Sequence, residues 1–268
     1  MEGTGVRLKR VFGYHQVPLF DPFLLLDHFG SGNPDDYIKG FPWHPHRGIE
    51  TVTYMIRGAV EHGDSIGNTG VINSGDIQWM TAGNGIIHQE MPKVYKGMMQ
   101  GFQLWVNLPS NHKMIEPRYR GIRADQIPTI SLENDITIKI ISGKVNKTIG
   151  PVRDLVVNVE YLDVSIPANI QFNHPVMNDY KAFVYIFEGN GFFDEHSNKL
   201  IERGNCIIYK DGDKIRIKAG DQGIRFLLIS GKPIGETIAW SGPIVMNTQE
   251  ELAIAFEEYQ NGTFIKNR

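Results

Sequence analysis

The sequence predicts an all-β chain, sandwich or barrel, organised as two domains, and three observations carry that expectation. Runs of about 4–8 residues rich in β-branched and aromatic side chains recur throughout, with turn signals every 8–12 residues or so. Twenty-nine glycines and fourteen prolines punctuate those runs. The length, 268 residues, suits two domains of about 130 residues each. At this size folding hides roughly 70–75% of the unfolded chain's surface, so stability needs no disulfide or metal staple.

In chain order, the first strand candidate is Glu50–Ile56 (ETVTYMI), where threonines, valine and tyrosine suit a half-buried pleated surface. Ile77–Met80 (IQWM) follows a Ser-Gly-Asp turn signal. Gly101–Leu108 (GFQLWVNL) alternates, dividing Phe102, Leu104 and Val106 from Gln103, Trp105 and Asn107. Parity alone leaves open which set faces a barrel interior; if the polar set does, Gln103 is a hydrogen-bonding residue of a pocket. Ser110–Met114, before Pro117, suits a short helical turn. Ile136–Ile141 (ITIKII), Leu155–Val159 (LVVNV), Ala182–Phe187 (AFVYIF), Cys206–Tyr209 (CIIY) and Ile224–Ile229 (IRFLLI) complete the strand set. One long helix is signalled, at the end. Thr248 with Glu251 forms a capping box, Leu252, Ala255, Phe256 and Tyr259 follow at helical spacing, and Gly262 stands where a C-cap glycine would.

Two glycines and a proline make Ser142–Pro151 the expected boundary, dividing the chain into 1–142 and 143–268 with the terminal helix in the second part. The halves echo each other. A strand, an acidic Gly-containing turn and a Gly-led strand occur in each (IRGAVEHGDS with SGDIQWM; YIFEGNGFFDEHSN with RGNCIIY), which suggests a duplicated barrel.

Composition excludes several classes. The net charge is −3, spread evenly along the chain, and the sequence pI near 6.3 argues against direct nucleic-acid binding. A single cysteine, Cys206, excludes an internal disulfide framework and a cysteine-cluster zinc site. There is no apolar stretch of signal-peptide length at the start and no run of about 18 apolar residues, so the expected protein is cytoplasmic and unconnected with a membrane.

Nine histidines point to chemistry. In FPWHPHRGIE, His44 and His46 are two apart, so an extended strand sends both imidazoles to one face; in GNGIIHQEMP, His88 and Glu90 repeat that spacing. If the two strands are neighbours, three imidazoles and a carboxylate converge, a donor set suited to borderline divalent metals. Each pair taken singly reads as ordinary surface chemistry; the two together favour a metal site. Glu50 shares strand parity with His44 and His46 unless Gly48 breaks it, and is either a rival ligand or a partner of a ligand imidazole. His15, His28, His112, His174 and His196 have no partner at ligand spacing, and His62 (GAVEHGDSIGN) suits a turn. Trp43, of opposite parity to His44, would back the site, and Lys113, Arg118, Arg120 and Arg123 read as a solvated basic loop.

The stretches DPFLLLDHFG, HPHRGIET, SGDIQWMTAGNGIIHQEMP, FQLWVNLP and GPIVMNTQEELAIAFEEYQNG resemble the pirins, a bicupin family, over nearly the whole chain. Thr81, where a typical second cupin motif has proline, and two extra residues between Gly83 and His88 depart from the general cupin pattern in the pirin direction. The resemblance implies two cupin (jelly-roll) barrels packed face to face. It also implies one divalent metal per chain, usually iron as Fe(II) with other first-row metals open, held by His44, His46, His88 and Glu90. Glu50 is not a ligand in pirins, and the second barrel, lacking HxH or HxE, is expected to be metal-free. The activity implied is quercetin 2,3-dioxygenase chemistry on flavonols, with Glu90 as both ligand and base, and a small aromatic substrate and dioxygen as partners in a monomer. The alternative is a metal- or redox-sensing regulator of a partner enzyme or transcription factor.

Overall fold

Alternation of buried and exposed side chains builds the first barrel, and the computed structural model of the chain describes residues 5–266 of it and its neighbour. Ten strands make the first barrel: β1 (Leu8–Phe12), β2 (Phe23–Ser31), β3 (Phe41–His46), β4 (Ile49–Arg57), β5 (Ala59–Asp64), β6 (Thr69–Asn73), β7 (Ile77–Thr81), β8 (Ile86–Pro92), β9 (Met99–Asn107) and β10 (Arg118–Ile122). They form two sheets, of order β1-β2-β9-β4-β7-β10 and β3-β8-β5-β6. β8 shows the alternation most clearly: Ile86, His88, Glu90 and Pro92 are buried while Ile87, Gln89 and Met91 are half-buried. Thr53 of β4 and Gln103 of β9 both bond Glu90 of β8, so these residues face one interior between the sheets.

The second barrel carries strands in the order Thr129–Ser131, Thr137–Ser142, Val159–Ile166, Lys214–Gly231, Lys181–Phe192 and Ile201–Glu202. Ile138, Ile140, Leu162, Val164, Phe226 and Leu228 are fully buried in its core. Fully burying such a side chain contributes about 1.5–3 kcal/mol, so this cluster supplies much of the barrel's stability.

The division between the compact units differs from the one expected. Asp125–Pro233 groups together, and Pro22–Ala124 groups with the segment from Ile234 onward. The run ITIKII belongs to the second barrel because Thr137–Ser142 pairs with Val159–Ile166; Ser142–Pro151 is a small hairpin inside that unit, Lys144–Val145 against Thr148–Ile149. LVVNV is extended only from Val159, because Asp154 ahead of it takes a left-handed φ of 55° and turns the chain.

The terminal helix, Gln249–Gln260, starts where expected: Thr248 accepts from the Glu251 amide and the Glu251 carboxylate returns to the Thr248 N–H. It packs in the first unit, not the second. Leu252, Ala255 and Phe264 cluster with Ala239, Ile244 and Met246 of the hairpin Ala239–Ser241/Ile244–Met246. Arg47, 2% exposed, holds that segment in place. Its guanidinium donates to the Asn84 and Phe264 carbonyls at 2.8 and 2.9 Å, pairs with Glu258 at 2.7 Å and lies 4.1 Å from the Phe264 ring centroid. Among the described residues no helix is long and apolar enough to cross a membrane.

Candidate metal centre

Register decides whether the two histidine-bearing stretches meet. β3 and β8 are antiparallel neighbours, with His44 opposite His88 and His46 opposite Ile86. The three imidazoles converge: His44 Nε2 is 3.0 Å from His46 Nε2 and 2.9 Å from His88 Nε2.

The outer ring nitrogens determine what the inner ones present. His44 Nδ1 lies 2.8 Å from the Pro42 carbonyl and His46 Nδ1 3.2 Å from the Pro243 carbonyl. A carbonyl only accepts, so each Nδ1 carries the proton and each Nε2 turns a lone pair inward. Burial first, and then neighbouring imidazoles, hold His46 and His88 well below the ordinary histidine value. Two lone pairs at 3.0 Å repel each other unless a cation lies between them. Three imidazoles so arranged fit a divalent metal, and among the described residues this is the cluster that can hold one.

Glu90 lines the same cavity as His44 and His46, and each of its oxygens accepts one protein hydrogen bond, leaving further lone pairs free. Thr53 Oγ1 donates to Oε1 and Gln103 Nε2 to Oε2, both at 2.9 Å. Trp105 Nε1, a donor only, reaches Gln103 Oε1 at 3.2 Å, which orients the amide so that its NH₂ faces Glu90. The open question of parity on β9 is thereby answered: Gln103 and Trp105 face the interior.

Glu50 is not part of this group. Gly48, with φ of 77°, sits between β3 and β4, and a Cβ there would run into the Val245 carbonyl. The bend breaks the parity that spacing suggested. Glu50 is fully buried and accepts from Thr81 Oγ1, with Arg120 3.8 Å away, whereas Thr53 is the β4 residue that reaches Glu90. His62 lies on β5, not in a turn, stacked on Tyr119 and 2.6 Å from its hydroxyl. Trp43 is half-exposed on the outer side of β3, and the basic run is not simply solvated, since Lys113 is buried. His174 also has a partner, the Glu160 carboxylate at 2.8 Å.

A cavity of about 560 Å³ opens over the imidazoles, the size of a small-molecule site. Its walls include Tyr14, Leu25, Phe41, Trp105, Trp240 and Pro243, and an Arg10–Asp27 pair bonded at 2.9 Å through two parallel contacts. The Tyr14 and Trp240 ring centroids are 5.6 Å apart, and those of Trp105 and Trp240 5.8 Å, so the walls suit planar aromatic rings. Tyr14 and Trp240 lie in no stretch the sequence singled out, and Pro243 lies in GPIVMNTQEELAIAFEEYQNG, which gave no sign of a place at the site. Pro243 is 197 residues from His46, and only the return of the C-terminal segment to the first barrel brings them together.

Two β-barrels in one chain, with a three-histidine centre in the first, define a bicupin with one candidate metal site among the described residues. Comparison with known proteins goes further: residues 5–106 match the Pirin family model and residues 161–265 the Pirin C-terminal cupin domain, so the chain belongs to the pirin family. It is 44% identical to a pirin-like protein of Caulobacter vibrioides, over 98% of this chain and 94% of that one. It is 37% identical to the Homo sapiens protein named pirin, over 97% and 88%. The crystal structure of a quercetin 2,3-dioxygenase from Acinetobacter baumannii superposes with a TM-score of 0.89 at 32% identity, covering 98% of this chain and 93% of that one.

Proposed function

We propose that the chain is a metal-dependent dioxygenase that cleaves flavonols such as quercetin with dioxygen. The observation that carries this reading is the convergence of three imidazoles, two of them turning Nε2 lone pairs inward, beside an aromatic-walled cavity of about 560 Å³. Its likeness to the Acinetobacter quercetin 2,3-dioxygenase supports the same reading.

His44, His46, His88 and Glu90 are the proposed ligands of one divalent ion, iron(II). When bound, that ion supplies Lewis acidity toward a flavonol oxygen and redox chemistry toward dioxygen. The protein's own contributions follow from its side chains. Tyr14, Trp105 and Trp240 stack on the flat ring system and exclude water from it. Glu90 accepts the proton of the flavonol 3-hydroxyl. Donation from both Thr53 and Gln103 aims that carboxylate, and Trp105 holds Gln103 in the orientation that makes this possible. The deprotonated flavonol is electron-rich; it takes up both atoms of dioxygen, its heterocycle opens and carbon monoxide leaves.

Elemental analysis of the purified protein, followed by quercetin loss in air and under nitrogen, tests the proposal. Stoichiometric metal and loss of quercetin only in air are expected. Metal-free protein, or metal retained after His44→Ala with His88→Ala, would dismiss the site. Metal without oxygen-dependent turnover would dismiss the enzymatic reading.

A further inference from the structure

Strand pairing in the second barrel repeats that of the first. The order β2-β9-β4-β7 is matched by Val159–Ile166, Lys214–Gly231, Lys181–Phe192 and Cys206–Ile208, and the β3–β8 pair by Gln171–Pro175 against the leading half of Lys214–Gly231. In the first barrel the cavity is crossed by the row Leu25, Trp105, Thr51, near the start of β2 and the end of β9. In the second, the row Glu160, Ser230, Ala182 crosses the corresponding end, and a cavity of about 510 Å³ opens there, lined by Glu160 and Ser230.

No imidazole cluster stands at the base of this second mouth; a pair does. His174, 3% exposed, lies 2.8 Å through Nε2 from the Glu160 carboxylate. A carboxylate only accepts, so Nε2 carries the proton and His174 anchors Glu160 from one side while Glu160 itself lines the cavity. Deeper in, Leu162 and Leu228 are fully buried and close the barrel, so a ligand entering this mouth stops at the pair. Val152, Leu155, Val176, Met177 and Tyr180 supply apolar and aromatic wall. The charged lining residues are Lys144, Arg153, Asp154 and Glu160, two of each sign, which selects against a net ion.

We propose that this mouth is a second binding site, independent of metal, for a small neutral phenol: its hydroxyl donates to Glu160 and its ring lies against Met177 and Tyr180. The phenol class follows from the parts. An acceptor-only carboxylate at the floor asks for a donor, the balanced charges ask for a neutral one, and a thioether beside an aromatic wall favours a ring. The site stands whether or not the first barrel turns over flavonols.

The test uses the full chain with ¹³C-methyl-labelled methionine, the Met177 signal being assigned through Met177→Leu. Titration with 2-naphthol is expected to shift that methyl signal saturably, and 2-methoxynaphthalene, which cannot donate, to bind at least about tenfold more weakly. Ser230→Leu, which fills the mouth, is expected to abolish the shift. No saturable shift up to the solubility of 2-naphthol, or equal affinity for the methoxy analogue, overturns the proposal. An undiminished shift in Ser230→Leu does so as well. Should that variant fail to fold, the comparison of the two naphthalenes on the unaltered chain still decides.

Discussion

Lys113 gives the sharpest physical prediction. It is 2% exposed, and its ammonium donates to the Gly48 carbonyl at 2.9 Å and to Asn107 Oδ1 at 2.6 Å. Both partners are neutral dipoles. Burial therefore wins over the more distant attraction of Glu236 and Glu251 and lowers the lysine to about 7 from 10.5. The unfolded chain keeps that proton up to pH near 10.5, so between about pH 7 and 10.5 the unfolded state binds more protons and unfolding free energy rises with pH. At about 1.4 kcal/mol per pH unit, and with the folded lysine partly protonated near pH 7.5, the gain from pH 7.5 to 9 is about 2 kcal/mol. His46 and His88, lowered by burial, have finished titrating below this window. Tyr119 and Tyr209, raised by burial, oppose the trend only near pH 10 and above. Urea unfolding of chelator-treated protein, followed by tryptophan fluorescence, isolates the effect, because all four tryptophans lie in the first unit. Lys113→Met should remove the rise. A flat wild-type profile, or an equal rise in Lys113→Met, would refute the reasoning.

Three further outcomes are expected. Glu90→Gln should retain part of the metal by elemental analysis but lose roughly 10²–10⁴-fold in quercetin turnover, the range for a lost general base. Trp105→Phe removes the indole donor that orients Gln103 and part of the ring that forms the cavity wall; kcat/KM should fall at least about tenfold, the loss of one net hydrogen bond setting the minimum, with metal content unchanged. Arg47→Met leaves Glu258 and the Asn84 and Phe264 carbonyls without their buried partner. Because Glu258 keeps Lys266, the cost in urea unfolding is that of the two carbonyls, about 1–3 kcal/mol each at most, and the segment after Ile234 should become open to limited proteolysis.

Much of the first barrel was legible because period-two patterning survives folding unchanged. The equal spacing of His44/His46 and His88/Glu90 reads as two same-face pairs in any extended strand, and β3 and β8 are extended. Glu50 shows the limit. Its spacing from His46 is even, but one left-handed residue, Gly48, resets the parity, and no count of residues reveals a φ of 77°. The helix was likewise visible from its capping box, while the surface it packs on was not, since capping is satisfied within four residues and packing is settled by distant ones. The boundary near residue 142 was misplaced for a related reason. A glycine-rich stretch marks a turn equally well inside a domain or between two.

The sequence by itself determined the all-β class, the helix start and three imidazoles able to share a face, because these depend on alternation and on contacts between near neighbours. Only the tertiary structure decided which strands lie side by side, that Pro243 orients His46, that Gln103 faces Glu90, and that Lys113 is buried with its ammonium on the Gly48 carbonyl and Asn107. These rest on register and on the return of the C-terminal segment. Both are set by the summed burial of many side chains far apart in the chain, which no local pattern records.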